Sequence, residues 1–132
     1  NPGDYFRANV WSWRPLMEAM WESGACYELG EDEFDRMSFN DGAGAKDQET
    51  CNRMVRKLNG WMSEKIWDED GAWTPETYKN DDMLVDASSG QFVRKAEAEL
   101  KGIETRSPYR VSKIHLERWI NFLSECGGFE VW

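Results

Sequence analysis

Two arginines stand beside two tryptophans near the beginning of the chain. The stretch YFRANVWSWRPL, from Tyr5 to Leu16, places Arg7 and Arg14 on either side of Trp11 and Trp13. An arginine guanidinium can stack on an indole ring and still offer its N–H groups to an anion or a carboxylate. The candidate ligand-binding residues are therefore Arg7, Arg14, Trp11 and Trp13. If this segment leaves a pocket, the two arginines are its polar groups.

The same arginines also have a purely structural interpretation. In it, each guanidinium forms an internal ion pair with an acidic residue, such as Glu18 in the next turn or Glu130 near the end of the chain. The two interpretations differ in one observable, which is whether the arginines face a cavity or are neutralised within the chain. The sequence leaves both open.

No other set of residues forms a recognisable catalytic or metal-binding pattern. His115 is the only histidine, and no Ser or Cys nucleophile stands at a recognisable spacing from it. The acidic clusters at 31–35 and 68–70 lack the spaced D-x-D-x-D-G pattern of a calcium loop, and Gly42 and Gly44 lack the following Lys-Ser/Thr of a P-loop. The sequence therefore leaves enzymatic activity open and favours a protein without it. We expect no cofactor and no metal site, and His115 is predicted to be a surface or partly packed residue.

Charge and cysteine content argue against several other functions. The net charge of -9, from 25 acidic and 16 basic residues, opposes binding driven by phosphate neutralisation, so we expect no direct contact with nucleic acid. Cys26, Cys51 and Cys126 are odd in number and form no CxxC pair, which predicts buried free thiols of an intracellular protein. No apolar run approaches the roughly 18 residues of a membrane span, and the start carries no signal-peptide pattern, so no membrane is expected as a partner.

The elements that must position the candidate residues are predicted to be mostly helical. Apolar residues recur at steps of three and four in four segments, 15–23, 47–67, 91–102 and 113–126. Shorter helices fit 31–37 and the residues after Thr74-Pro75, and Asp47 and Ser112 are suitable N-caps. The residues NDGAG at 40–44 predict a loop, as do residues 105–110. The stretch 79–90 is the least periodic and is predicted to be a loop, with a short helix as an option.

These segments predict a mainly α fold, a single compact helical domain over 1–132 with about four to five helices. The alternation at 129–132 also allows a short C-terminal strand. A chain of this length typically buries about two thirds of its unfolded surface, and we expect the two aromatic ends, including Trp11, Trp13 and Phe129, to meet inside. The longest helix should bury one face, made of Cys51, Met54, Val55, Leu58, Trp61, Met62 and Ile66.

The two ends of the chain also carry a resemblance. YFRANVWSWRPL at 5–16 and SPYRVSKIHLERWINFLSECGGFEVW at 107–132 resemble a family of small proteins from bacteriophages and phage-derived regions of bacterial genomes, which show an FRxNxWxWRPL-like start and an aromatic last helix followed by SGGFxI or similar. FNDGAGAKDQETCNRMVRKL, at 39–58, resembles the family's NDG-type loop entering a helix. Some members carry a zinc-binding CxxC...CxxC insert that this chain lacks, and Cys126 stands where Ser is common.

The resemblance implies a phage-type origin and the cytoplasm of a bacterial host cell, and no activity is known for the family. Together with the acidity and the absence of a catalytic pattern, it predicts a non-catalytic protein-interaction module whose partner is a host or phage protein. A sharper version is DNA mimicry, in which acidic residues imitate phosphates. The alternative is a small-ligand-binding protein or enzyme that uses an Arg/Trp pocket. The sequence leaves the oligomeric state open.

Overall fold

A computed structural model describes residues 3–65, 67–79 and 81–132, and this part of the chain contains five α-helices and two small antiparallel sheets. The helices are α1 (Val10–Glu22), α2 (Glu31–Ser38), α3 (Gln48–Glu64), α4 (Lys95–Lys101) and α5 (Lys113–Glu125). The strands are β1 (Ala72–Trp73), β2 (Met83–Asp86), β3 (Phe92–Arg94), β4 (Thr105–Arg106) and β5 (Val111–Ser112). None of the helices in these ranges is long and apolar enough to cross a membrane.

The prediction of a mainly α fold is wrong, because 51% of the described residues are helical and 12% are in strands, which makes the fold α+β. Strand β2 lies in the predicted loop at 79–90, β3 lies at the start of the helix predicted at 91–102, and β4 lies in the segment at 105–110 that was predicted to be a loop. β2 pairs with β3, with Leu84 opposite Val93, and its other edge pairs with β4. Leu84, Val93 and Ala98 form a small core of their own. The apolar spacing after Phe92 was interpreted as one helix because a three-to-four period cannot reveal that its first residues pair with a distant strand.

The turn between β2 and β3 explains why this hairpin forms. One carboxylate oxygen of Asp86 accepts hydrogen bonds from the backbone N–H of Ser88 (2.8 Å) and from its hydroxyl (2.7 Å). Gly90 takes a positive φ of 75°, and its N–H donates to the Asp86 carbonyl oxygen (2.8 Å). An Asp and a Gly at these positions are typical turn residues, so the polar run between the two strands closes the hairpin.

The main core is built by α1, α3 and α5, and the two aromatic ends meet on it through Phe6, Trp13 and Phe129. Trp11, which was expected in the same core, is 38% exposed and lies outside it, because it occupies another side of α1 from Trp13. The ring of Phe6 lies 5.0 Å from that of Trp119, centroid to centroid, and the ring of Phe129 lies 5.5 Å from it. Trp119 is almost fully buried. The other fully buried large side chains of these three helices are Leu16, Met20, Met54, Leu58, Leu116 and Leu123.

Both predicted N-caps are confirmed. The Asp47 carboxylate accepts a hydrogen bond from the Thr50 N–H (2.8 Å), and the Ser112 hydroxyl accepts one from the His115 N–H (3.0 Å). α3 ends earlier than predicted because the backbone of Lys65 is extended, and Ile66 lies outside the described residues. α1 begins earlier than predicted, since Asn9 caps it and Pro15 lies inside it.

The allowed C-terminal strand is reduced to a single bridge between Ala43 and Val131. The N–H of Gly42 donates to the Val131 carbonyl oxygen (2.7 Å), and the N–H of Val131 donates to the Ala43 carbonyl oxygen (2.8 Å). Gly42 has a φ of 73°, and a Cβ there would come within 2.5 Å of the Trp132 ring. The NDGAG residues thus form the predicted loop, and their small side chains let the last residues of the chain lie directly against it.

Candidate functional site

A cleft of about 820 Å³ opens between the two ends of the chain, and we call it the N-terminal cleft. Its walls come from the first residues and the start of α1, from the loop after α2, and from the end of α5 with the residues beyond it. The residues that line it are Gly3, Asp4, Tyr5, Phe6, Arg7, Ala8, Val10, Trp13, Arg14, Ser38, Phe39, Asn40, Trp119, Phe122, Cys126, Gly128, Phe129, Glu130, Val131 and Trp132. Its volume falls in the range of about 300–1,000 Å³ that is usual for ligand sites.

Both candidate arginines line this cleft, and neither is neutralised by a carboxylate among the described residues. Arg7 is exposed, and the guanidinium carbon of Arg14 lies 5.8 Å from the centroid of the Tyr109 ring. Burial, and then the negative charge of Glu22, raise the pKa of Glu18, so Glu18 behaves as a carboxylate without a cation beside it. The internal ion pairs with Glu18 and Glu130 are therefore not formed in this part of the chain.

The floor of the cleft is aromatic and holds one unsatisfied polar group. Trp13 is 9% exposed and packs edge to face against Trp119, with 5.6 Å between the ring centroids. Its indole Nε1 is buried and has no hydrogen-bond partner within the ranges that the structure describes. A buried N–H without a partner costs about 1–3 kcal/mol. Trp13 thus combines an apolar surface with a donor that the described residues leave unused.

The rim of the cleft was not anticipated from the sequence. Three aromatic side chains stand largely in solvent there, with exposed fractions of 70% for Tyr5, 78% for Phe39 and 81% for Trp132. The Glu130 carboxylate accepts a hydrogen bond from Trp132 Nε1 (3.1 Å). Phe39 directly precedes the NDGAG loop. The bridge at Val131 and the hydrogen bond from the Phe129 N–H to the Ala45 carbonyl oxygen (2.8 Å) bring that loop to the last residues. No local pattern links Phe39 to Arg7, because residues 32 positions apart in the chain carry no shared periodicity.

Trp11 does not line the N-terminal cleft, so the four candidate residues are not brought together. Trp11 is 38% exposed and contacts Tyr109 and Phe92, at 4.9 Å and 5.4 Å between ring centroids. It belongs to a second, shallower cleft of about 550 Å³ that also includes His115. The two tryptophans separate because α1 begins at Val10, so both lie in the helix. Each helical residue turns by about 100°, and Trp11 and Trp13, two positions apart, therefore point to nearly opposite sides.

His115 is partly buried, as the sequence suggested, and it has no nucleophile beside it. Its ring packs edge to face on Phe6, with 5.2 Å between the ring centroids, and its Nε2 is buried without a hydrogen-bond partner in the described part of the chain. Burial, and then the positive charge of Arg118, lower the pKa of His115. Among the described residues, its imidazole makes no hydrogen bond to a hydroxyl or a thiol. This geometry favours a neutral packing residue over a catalytic base.

The acidic residues also fail to form a cation site in the described ranges. No group of three or more His, Cys, Asp or Glu side chains is arranged there to hold a metal ion. In the cluster at 68–70, Arg110 approaches the carboxylates of Asp68 and Asp70 at 2.9 Å and 3.3 Å, and Arg106 approaches Asp70 at 3.4 Å. These carboxylates serve as partners of arginines at the connection between the two sheets.

Comparison with models of protein families, with curated proteins and with solved structures finds no match for this chain. The resemblance of its two ends to phage proteins therefore stays a prediction. What can be said of function has to come from the N-terminal cleft itself. That cleft is lined by two arginines that no carboxylate among the described residues neutralises, although the Arg14 guanidinium lies over Tyr109, which is outside the cleft. Together with the aromatic floor and the exposed aromatic rim, these arginines suit an apolar group that carries a negative charge.

Proposed function

We propose that this protein is a non-catalytic protein-interaction module, and that its N-terminal cleft receives an apolar segment of a partner protein bearing a carboxylate. The observation that carries the proposal is that Arg7 and Arg14 line an aromatic cleft without a carboxylate partner among the described residues. Arginine and aromatic residues are enriched among those that dominate protein interfaces.

The rest of the surface limits which proteins approach. A net charge of -9 repels nucleic acid and other acidic molecules over distances of about a Debye length, roughly 8–10 Å at physiological salt. A partner with a basic surface around the inserted segment fits both the acidic net charge and the arginine-lined cleft. Long-range attraction brings its basic surface close, and the arginines then bind the carboxylate of the segment. We further propose that the protein acts in the cytoplasm of a bacterial host cell on a host or phage protein. The support for that setting is the resemblance of the two chain ends alone.

The test is capture of partners from a bacterial lysate on immobilised protein, followed by titration calorimetry with any protein that is retained. The double variant Arg7→Ala/Arg14→Ala should lose at least about tenfold in affinity, since hydrogen bonds to a charged group contribute about 1.5–3 kcal/mol. The matched control is Arg56→Ala/Arg118→Ala, which removes the same charge from two exposed arginines outside the cleft. It should leave affinity within about twofold.

Two results would overturn the proposal. Equal losses for both double variants would mean that only net charge matters. Unchanged affinity for the cleft variant would mean that the partner binds another face. Raising the salt concentration should weaken binding by wild type and control alike, because the long-range attraction to a basic surface is screened.

The second candidate function is a small-ligand-binding protein, or an enzyme, that uses the same cleft. Its volume of about 820 Å³ is the observation that favours it, since it suits a nucleotide- or sugar-sized molecule. A thermal-shift screen with nucleotides, sugars and divalent ions tests it. A ligand at 100 times its dissociation constant adds about 2.7 kcal/mol of stability, and Arg7→Ala/Arg14→Ala should abolish that gain while Arg56→Ala/Arg118→Ala retains it.

A further inference from the structure

Two of the three cysteines meet although they are 75 residues apart in the chain. The Sγ atom of Cys51, in the first turn of α3, lies 3.5 Å from the Sγ atom of Cys126, just after α5. A disulfide bond has an S–S distance of about 2.05 Å, so the two sulfur atoms need to approach by roughly 1.5 Å. Cys26 is buried in the 3₁₀ turn after α1 and contacts neither of them among the described residues.

The backbones that carry this pair are held together by one side chain. The Gln48 side chain donates a hydrogen bond to the Leu123 carbonyl oxygen (2.7 Å) and accepts one from the Gly127 N–H (2.7 Å). Gln48 lies one turn before Cys51, and its two partners flank Cys126. The two backbone segments that carry Cys51 and Cys126 are thus held next to each other, with the sulfur atoms at contact distance.

The two thiols differ in access to solvent. Cys51 is fully buried, and burial followed by its contact with Cys126 raises its pKa, so it rests as a neutral thiol. Cys126 is only partly buried and lines the N-terminal cleft. A dissolved oxidant therefore reaches Cys126 first, with Cys51 placed behind it at contact distance. An accessible cysteine beside a second one that can resolve it is the arrangement of reversible thiol oxidation.

We propose that Cys51 and Cys126 are a redox-active pair that hydrogen peroxide converts into a reversible disulfide linking α3 to the end of α5. The Cys126 thiolate attacks one peroxide oxygen, the O–O bond breaks, hydroxide leaves and takes up a proton to form water, and Cys126 becomes a sulfenic acid. The Cys51 sulfur then attacks the Cys126 sulfur, the S–O bond breaks and a second water leaves with the Cys51 proton. Overall two thiols lose two electrons and two protons, and one peroxide becomes two waters.

The test uses the Cys26→Ser variant, which leaves only the proposed pair. Treatment with a small excess of hydrogen peroxide, followed by alkylation and intact-mass analysis, should show a monomer that has lost two hydrogen atoms and takes up no alkylating agent. Peptide mapping should join the peptide of Cys51 to that of Cys126. The midpoint of thermal unfolding should rise by at least about 5 °C, because the bond closes a long loop, and dithiothreitol should reverse both changes.

Two outcomes would overturn the proposal. In one, the oxidised protein keeps two alkylatable thiols or gains two oxygen atoms on Cys126. In the other, the bond joins two copies of the chain instead of two helices of one copy. Cys51 and Cys26 are both buried, and replacement of either side chain risks unfolding the protein. The mapping on Cys26→Ser is therefore repeated on the wild-type chain, where a Cys51–Cys126 linkage decides the question, and Cys126→Ser serves as the negative control. This experiment needs no partner protein, and its result is independent of what the N-terminal cleft binds.

Discussion

Two regions of this protein place a cation beside aromatic rings, and they differ in whether the chain neutralises it. The Nζ atom of Lys65 lies 4.9 Å from the ring centroid of Trp61 and 5.1 Å from that of Trp73, and it pairs with the Glu22 carboxylate. Arg14 also lies over a ring, but no carboxylate among the described residues pairs with it. The Glu22 carboxylate neutralises Lys65, whereas Arg14 has no such carboxylate in the described ranges. A lysine or arginine near tryptophans in the sequence can therefore have either a structural or a binding role, and the two roles are distinguished only by whether a carboxylate of the chain pairs with it.

Removing the aromatic floor is the strongest way to break the cleft. Trp119 contacts Trp13, Phe6 and Phe129 and is almost fully buried. Trp119→Ala should lower the free energy of unfolding by about 3–5 kcal/mol, because it leaves a large cavity. Chemical denaturation measures this, with Trp132→Ala as the control on the exposed rim, expected within about 0.5 kcal/mol. Similar losses for the two variants would show that the floor is not part of the core.

The contacts of Lys65 with Trp61, Trp73 and Glu22 should contribute to the stability of the folded protein. Lys65→Met should cost about 1–2 kcal/mol of unfolding free energy, since it removes two cation–π contacts and an ion pair that is only partly exposed. The control is Lys113→Met, an exposed lysine without an ion pair among the described residues, expected within about 0.5 kcal/mol. If the two variants lose the same amount, the surrounding rings contribute nothing specific.

The stability of the protein should depend on pH through His115, whose imidazole packs on the Phe6 ring and makes no ion pair with a carboxylate among the described residues. Because its pKa is lowered from about 6.5 by burial and then by Arg118, the unfolded chain binds the proton more readily than the folded one. Stability should therefore fall as pH drops from about 6.5 through the lowered folded value, then level off. We expect this loss to be smaller than that for Lys65→Met, because the ring is only partly buried.

The measurement for His115 is the free energy of unfolding of wild type and His115→Gln, compared between pH 8 and pH 5. The difference between the two proteins removes the contribution of carboxylates, which titrate in both. Wild type should lose more stability than the variant on acidification. A pH-independent difference would show that the histidine is equally protonated in the folded and unfolded chains.

The smallest effect on stability is expected at the arginines themselves. Arg7→Met and Arg14→Met should each change the free energy of unfolding by less than about 0.5 kcal/mol, because both side chains are exposed and form no ion pair among the described residues. Urea denaturation of the single variants checks this. A loss above about 1.5 kcal/mol would give the arginines the same structural role as Lys65, and the comparison between the two regions would fail.

Local signals in the sequence predicted the helices well where a cap and an apolar face agreed. α3 and α5 begin at their predicted caps, Asp47 and Ser112. The face predicted for α3 lies against the core, with three of its residues buried and three partly buried: Cys51, Met54 and Leu58, then Val55, Trp61 and Met62. The sheet of β2, β3 and β4 was missed because each strand has only two to four residues. So short a segment carries too few alternations to distinguish it from a helix or a loop. Its pairing also depends on residues up to about 20 positions apart.

The sequence by itself determined that part of the aromatic surface at both ends would pack on one core, as Phe6, Trp13 and Phe129 do, because so much apolar surface has to leave water. It also determined the capped helices, whose hydrogen bonds are local. Only the tertiary structure decided that Trp13 joins the cleft while Trp11 faces away, that Arg7 and Arg14 lack carboxylate partners among the described residues, and that Cys51 meets Cys126. Those outcomes depend on how α1, α3 and α5 are rotated and placed against each other, and such long-range geometry leaves no periodic trace along the chain.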